Sequence, residues 1–230
     1  MRMPSGRPDD VILLDPADTD QPFALNLFEC PDRDDPRLVD RVCSETVTTF
    51  RKLFHYSWGP HLEDPLRHST LTLLANEGST LLDILIMLSQ EDRREEMAAR
   101  VADPIIQTYW RDRFPKKAKD QPEWAASALN KIGRFLSNPL VRNIVSQPTS
   151  TFDLRQIMDQ AKILLVNLSK GKIGEDNSAL LGSVLVGKIL TAALSRAETP
   201  PQDRRPFHLI VDEYQSFATE SFPTLQSQAR

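Results

Sequence analysis

Three short apolar runs constrain this chain more than anything else in it: Val11–Leu14, Lys162–Leu168 and Phe207–Val211. Each is too short for a stable helix, carries Val, Ile or Leu in near-continuous sequence, and is bounded by Pro, Gly, Asp or Asn. Such runs read as buried strands of a parallel sheet. Between the first two lies a long stretch with helical periodicity. Between the last two lies one apolar helical pattern, which makes Lys162–Val211 a strand–helix–strand unit whose strands run parallel with a right-handed crossover. The expected class is therefore α/β, a parallel sheet interrupted by a large all-helical insertion.

The third run leads directly into Asp212-Glu213. Ligands of open α/β sheets bind beyond the carboxyl ends of the strands, where this pair falls. In nucleotide hydrolases an apolar strand ending in two carboxylates is the Walker B arrangement. One carboxylate holds Mg²⁺, usually through water, and the next polarises the attacking water. An acidic pair also ends strands and caps helices with no chemistry attached, and the local pattern leaves both readings open.

The helical stretch can be followed by its caps. Asp35-Pro36 is an N-cap followed by proline at the first helical position, and Val39, Val42, Cys43, Thr46, Val47, Phe50, Leu53 and Phe54 then share one face. Asp64-Pro65 predicts the start of a second helix, stopped by Gly78. Ser79-Thr80-Leu81-Leu82-Asp83 has the form of a capping box with Asp in place of Glu, opening a third helix through Leu88. Helices over Asp92–Val101 and Pro104–Phe114 follow. A further helix has the stripe Trp124, Ala128, Ile132, Phe135 and Leu136, and a short one spans Leu140–Val145. Past Lys162–Leu168 comes a turn-rich loop, Ser169–Gly174. Asp176 then caps a helix to about Ser195 that is apolar nearly all round and so should be buried. The expected organisation is a first strand and connection over 1–34, an all-helical insertion over 35–158, and the remaining sheet elements over 159–230.

A net charge of −4 gives no global basic signal for nucleic acid, so any such contact rests on local patches. One candidate is Arg111, Arg113, Lys116, Lys117 and Lys119 beside Tyr109, Trp110 and Phe114, with Lys131, Arg134 and Arg142 as a second basic set. Basic residues interleaved with aromatics suit single-stranded nucleic acid; the same pattern also describes a solvated loop beside core aromatics. Cys30 and Cys43 match no metal-ligand spacing and read as free thiols of a reducing cytoplasm. No uninterrupted apolar run approaches a membrane span, and Met1-Arg2-Met3-Pro4 does not open a signal peptide.

A phosphate-binding loop requires a strand, then G-x-x-x-x-G-K-[ST], then a helix. Gly182–Lys188 fits seven positions, but Ile189 follows where a metal-binding hydroxyl is needed, and the intervening residues are apolar and mid-helix. The glycines there read instead as sites of close packing.

With these residues in place, the chain resembles the conjugative coupling-protein ATPases of type IV secretion (TraG/TraD-like), in the HerA–FtsK branch of P-loop DNA translocases. The resemblance rests on Val11–Asp18, Phe23–Leu27, Ser57–Glu63, Lys131–Leu136, Lys162–Gly182 and Leu209–Phe217, in that order and spacing. It implies a partial RecA-like P-loop NTPase sheet, ATP and Mg²⁺ as cofactors, and a homo-hexameric ring through which DNA passes. It also implies a cytoplasmic location, at the inner face of the membrane in the complete protein, with relaxosome and secretion-channel proteins as partners. Asp212 matches the Mg²⁺-linked carboxylate and Glu213 the water-activating one. Arg230 matches either an arginine finger or a solvated helix residue. Ser169 and Lys170 sit where a phosphate is sensed, or in a plain turn. The chain carries a Walker B segment without a Walker A, so the expectation is a motor fragment that alone binds ATP poorly and does not turn it over usefully. Two alternatives stand beside this reading. One is a non-catalytic DNA- or protein-binding module, the other a HerA-like DNA-processing translocase outside secretion.

Overall fold

The computed structural model describes residues 7–115 and 121–217. It is mostly helical with one small parallel sheet, and the chain divides into two compact units. One unit is Ala24–Ser150. The other combines Met1–Phe23 with Thr151–Arg230.

Among the described residues, seven α-helices build the first unit: α1 (Pro36–Leu53), α2 (Pro60–Leu74), α3 (Leu81–Ser89), α4 (Glu91–Ala99), α5 (Pro104–Thr108), α6 (Gln121–Leu136) and α7 (Pro139–Val145). Local chemistry sets most of their starts. The Asp35 carboxylate accepts from the Arg37 N–H at 2.8 Å, with Pro36 at the first position. Thr80 and Asp83 form a reciprocal capping box at α3, and Asn138 caps α7. The second helix begins earlier than Asp64-Pro65 suggests. Gly59-Pro60 supplies the same signal one turn upstream, and Pro65 is carried inside α2. A proline there forfeits one backbone bond, to the His61 carbonyl, and Pro65 is buried against the core.

The α2 helix packs against α1 and α6, and α3 packs against α2, α4 and α6. Phe50, Leu62, Leu66, Leu73, Leu81, Ile84 and Phe135 are fully buried between them. The non-helical stretch from Ala24 to Phe28 belongs to this core. The Leu25 N–H donates to the Ile144 carbonyl at 2.9 Å. The buried Asn26 amide donates to the Ser79 and Pro148 carbonyls at 2.9 and 2.7 Å. Those bonds explain why the unit begins at Ala24 rather than at the first helix. Cys43 is buried, which pushes its thiol up to about 12, and neither Cys30 nor Cys43 is in a disulfide.

Past Thr108 the expected helix widens into a π turn, Tyr109–Arg113, closed by the Phe114 N–H on the Tyr109 carbonyl at 2.8 Å. The wider turn brings Tyr109, Trp110 and Phe114 to one side, and all three are buried. The Trp110 indole donates to Thr72 Oγ1 at 2.8 Å, and His68 lies parallel to Tyr109 at 3.6 Å.

The second unit contains β1 (Val11–Leu14), α8 (Leu154–Asp159), β2 (Ile163–Val166), α9 (Lys170–Ile173) and α10 (Glu175–Ser195). The strands pair in parallel, Val11 with Ile163 through Leu14 with Val166. Ile12 and Leu164 lie against a core of Leu154, Ile157, Met158, Ile189 and Ala192. Only Leu14 of the two strands is buried; β2 is half-buried throughout, short of the full burial expected of it. Asp159 ties α8 to the end of α10 by pairing with both Arg155 at 2.6 Å and Arg196 at 2.9 Å. The α10 helix meets the length and composition of a membrane span, with 72% of its apolar window buried in the protein.

The third strand and its crossover do not form. Phe207–Val211 pairs with neither β1 nor β2, and among the described residues its backbone makes no hydrogen bond. A strand exists only through its ladder partner, and here side chains at the two ends of the segment hold it elsewhere. Phe207 packs on the α8–α10 core, and Phe217 packs on Gly182 of α10. The segment therefore runs antiparallel along α10, leaving Ile210 91% exposed between its two phenylalanine anchors.

Candidate functional site

Because β1 and β2 are in register, their carboxyl ends finish together and place Asp15 beside Asn167. The Asn167 N–H donates to the Leu14 carbonyl at 2.9 Å, and its amide donates to Asp15 Oδ2 at 2.9 Å. The Ala17 N–H donates to the other Asp15 oxygen at 2.9 Å, and Lys172 Nζ lies 3.5 Å from Oδ2. The Ala17 bond first, with Asn167 and Lys172, holds the Asp15 carboxyl below the usual carboxylate range.

The loop expected at Ser169–Gly174 contains the single-turn helix α9, with Ser169 as its N-cap residue and Gly174 at φ 86° joining it to α10. Lys170 extends from α9 toward the acidic turn. Its Nζ donates to Ser216 Oγ at 3.0 Å and pairs with Glu213 Oε2 at 3.3 Å and Glu175 Oε1 at 3.8 Å. Glu213 has a left-handed backbone, φ 54°, which a non-glycine residue adopts at a cost of about 1–2 kcal/mol. That conformation turns the chain from the extended segment into the 3₁₀ turn Tyr214–Ser216. Asp212 is exposed in the same turn. Lys170 and Glu213 thus meet, while Asp15, Asn167 and Lys172 form an adjoining network on the strand ends. Asp15, Asn167 and Lys172 were not singled out in the sequence. The position of Asp15 immediately after its apolar run, and of the polar Asn167 within the second run, was the available signal.

The carboxylates of Asp212 and Glu213 suit the outer sphere of a hydrated Mg²⁺, which needs only one or two acidic groups when phosphates complete its shell. Among the described residues no three His, Cys, Asp or Glu side chains converge as a self-sufficient metal site. The phosphate end is different. Gly182–Lys188 lies inside α10, its amides committed to the helix and Gly182 covered by Phe217, so it cannot cradle a phosphate. Asp212 and Glu213 are thus candidates for a metal's outer sphere, and Gly182–Lys188 is no phosphate cradle.

In the helical unit, Arg111 and Arg113 are exposed. Arg111 pairs with Asp112 at 2.9 Å, and Arg113 lies 3.9 Å from Asp64. The aromatics flanking them, Tyr109, Trp110 and Phe114, are in the core and present no face to a base. Lys131 Nζ donates to Ser127 Oγ, and an Arg142 N–H to the Leu136 carbonyl. Lys116, Lys117, Lys119 and Arg230 lie outside the described residues. No family model matches the chain, and neither the curated proteins nor the solved structures compared with it give a match.

Proposed function

We propose that this chain is part of an ATP-driven DNA translocase of the conjugative coupling-protein kind, which delivers DNA to a type IV secretion channel. In this reading Asp212 serves the Mg²⁺ and Glu213 the attacking water. The observation that carries it is the Lys170–Glu213 contact, which gathers the β2 loop and the acidic pair next to the strand ends bearing Asp15 and Asn167. A cation, a water-activating carboxylate and a metal-side carboxylate are the groups phosphoryl transfer needs beside its phosphate cradle. ATP and Mg²⁺ are the cofactors of this reading, and a homo-hexamer on DNA its working form.

The test is ATP binding and hydrolysis, with and without single-stranded DNA, by this chain and by the chain extended through any coding sequence upstream of Met1. Turnover by a form that contains a phosphate-binding loop, abolished by Glu213→Gln with Mg-ATP binding retained, supports the assignment. Normal turnover by Glu213→Gln removes it.

A second reading, a non-catalytic module that binds DNA or protein, draws on two features. The helical unit has its own closed core, and Phe207–Val211 lies outside the sheet. Binding that persists in Glu213→Gln while no form of the chain hydrolyses ATP selects this reading.

A further inference from the structure

We propose that Phe207–Val211 is an open edge strand through which two copies of this chain pair, antiparallel and about a two-fold axis at Leu209. None of its backbone groups is hydrogen-bonded to a described residue. Exposure alternates along it as in a strand. Phe207 and Val211 are half-buried and Leu209 is 37% exposed, while Ile210 is 91% exposed and His208 is exposed beside it. Phe207, Leu209 and Val211 thus share an inner face, and His208 and Ile210 an outer one.

Both ends of the segment are fixed. Before it, the Arg205 carbonyl accepts from the Arg196 guanidinium at 2.7 Å, and Arg196 pairs in turn with Asp159. After it, the left-handed Glu213 turns the chain into Tyr214–Ser216, and Lys170 holds that turn through Glu213 and Ser216. A segment fixed at both ends has little conformational freedom left to lose on pairing, and its open backbone is a template for another strand.

The sequence selects that strand. In an extended chain, alternate residues present their N–H and C=O to opposite edges. Phe207, Leu209 and Val211 serve one edge. The other edge begins with Pro206, which has no N–H to donate. The complete edge, paired with itself around Leu209, closes about six backbone bonds. Phe207 then lies opposite Val211 of the other copy, and His208 opposite Ile210. Arg205, exposed at one end, comes to the Asp212-Glu213 turn, where Asp212 is exposed. A shift of one residue would set the inner face of one copy level with the outer face of the other. Symmetry gives each pair two such charge contacts and closes the interface, so assembly stops at two copies. Five residues a side is small for a protein interface, which makes this a weak dimer that forms as concentration rises. This assignment does not rest on ATP chemistry.

The experiment is sedimentation velocity of the 230-residue chain over a concentration series, with amide exchange read by NMR. The chain should pass from monomer to dimer, and the Phe207, Leu209 and Val211 amides should gain protection with it while those of His208 and Ile210 do not. Arg205→Glu and Asp212→Lys each change an exposed side chain and leave the core intact. Each should weaken the dimer on the order of 5- to 30-fold, because both symmetry-related contacts change at once. Mixing the two variants puts opposite charges at both contacts again and should bring most of the affinity back. A chain monomeric at every concentration, a dimer indifferent to both variants, no recovery on mixing, or protection of these amides that does not depend on concentration overturns the proposal. Failure of ATP turnover leaves these outcomes unaffected.

Discussion

A methyl group at Gly182 has nowhere to go. A Cβ built there would sit 2.5 Å from Phe217 Cε1, closer still to Cδ1, and 2.9 Å from Leu168 Cδ1. The leucine methyl can rotate away cheaply; the phenylalanine ring is buried and must leave its seat on α10. Burying such a ring contributes about 1.5–3 kcal/mol. Against that loss, alanine gains about 1 kcal/mol over glycine as a helix residue. Gly182→Ala should therefore destabilise the unit by roughly 0.5–2 kcal/mol. In a Phe217→Ala background the obstacle is gone, and the same substitution should become stabilising by up to about 1 kcal/mol. Hydrogen exchange of the α10 amides reads both effects, and the double-mutant cycle should give a coupling of roughly 1.5–3 kcal/mol. The same cost in both backgrounds would refute the contact, and with it the account of what holds the 212–217 turn in place.

Other outcomes follow from single residues. Ala161 occupies the left-handed position of a Schellman turn after α8, with Lys162 N–H on the Ile157 carbonyl and Ala161 N–H on that of Met158; Ala161→Gly should raise stability by about 1 kcal/mol in denaturant titration. Thr80→Ala removes half of the α3 capping box and should cost about 1 kcal/mol in the same titration. Burial holds the His68 ring below its ordinary value while Nδ1 lies 2.8 Å from the Asp64 carbonyl. The unfolded chain then binds this proton first, so the contribution is complete above about pH 6.5 and is lost as pH falls from there toward the folded value. His68→Phe should flatten thermal stability over that window.

What could be read from the sequence was whatever a few neighbouring residues decide. Asp35-Pro36 and the Thr80–Asp83 pair act over one helical turn, so their geometry follows from their order. Two prolines five residues apart each announce the same helix, and only the burial of Pro65 against the core shows that Pro60 starts it. The left-handed Ala161 defeats the expectation of glycine after a helix. The π turn at Tyr109 is imposed by three aromatics seeking one pocket. Phe207–Val211 has every local mark of a strand, yet pairing is a property of two segments, and its two flanking phenylalanines find α10 instead. At the candidate site, Asp212, Glu213 and Lys170 were legible as residue types following apolar runs. The Asp15–Asn167 bond was not, because it depends on the register of strands about 150 residues apart in sequence.

The unpaired segment also has a bearing on how the chain behaves before it is folded. Phe207–Val211 is a β-prone pentapeptide flanked by Arg204-Arg205-Pro206 on one side and Asp212-Glu213 on the other. Charges and proline in these positions act as gatekeepers against aggregation. Their arrangement is selective. Parallel, in-register stacking of nascent chains would set arginine on arginine and carboxylate on carboxylate, the ladder on which parallel fibrils depend. Antiparallel pairing would instead match the two ends, so any pairing of this segment between nascent chains should favour the antiparallel arrangement and weaken as salt rises.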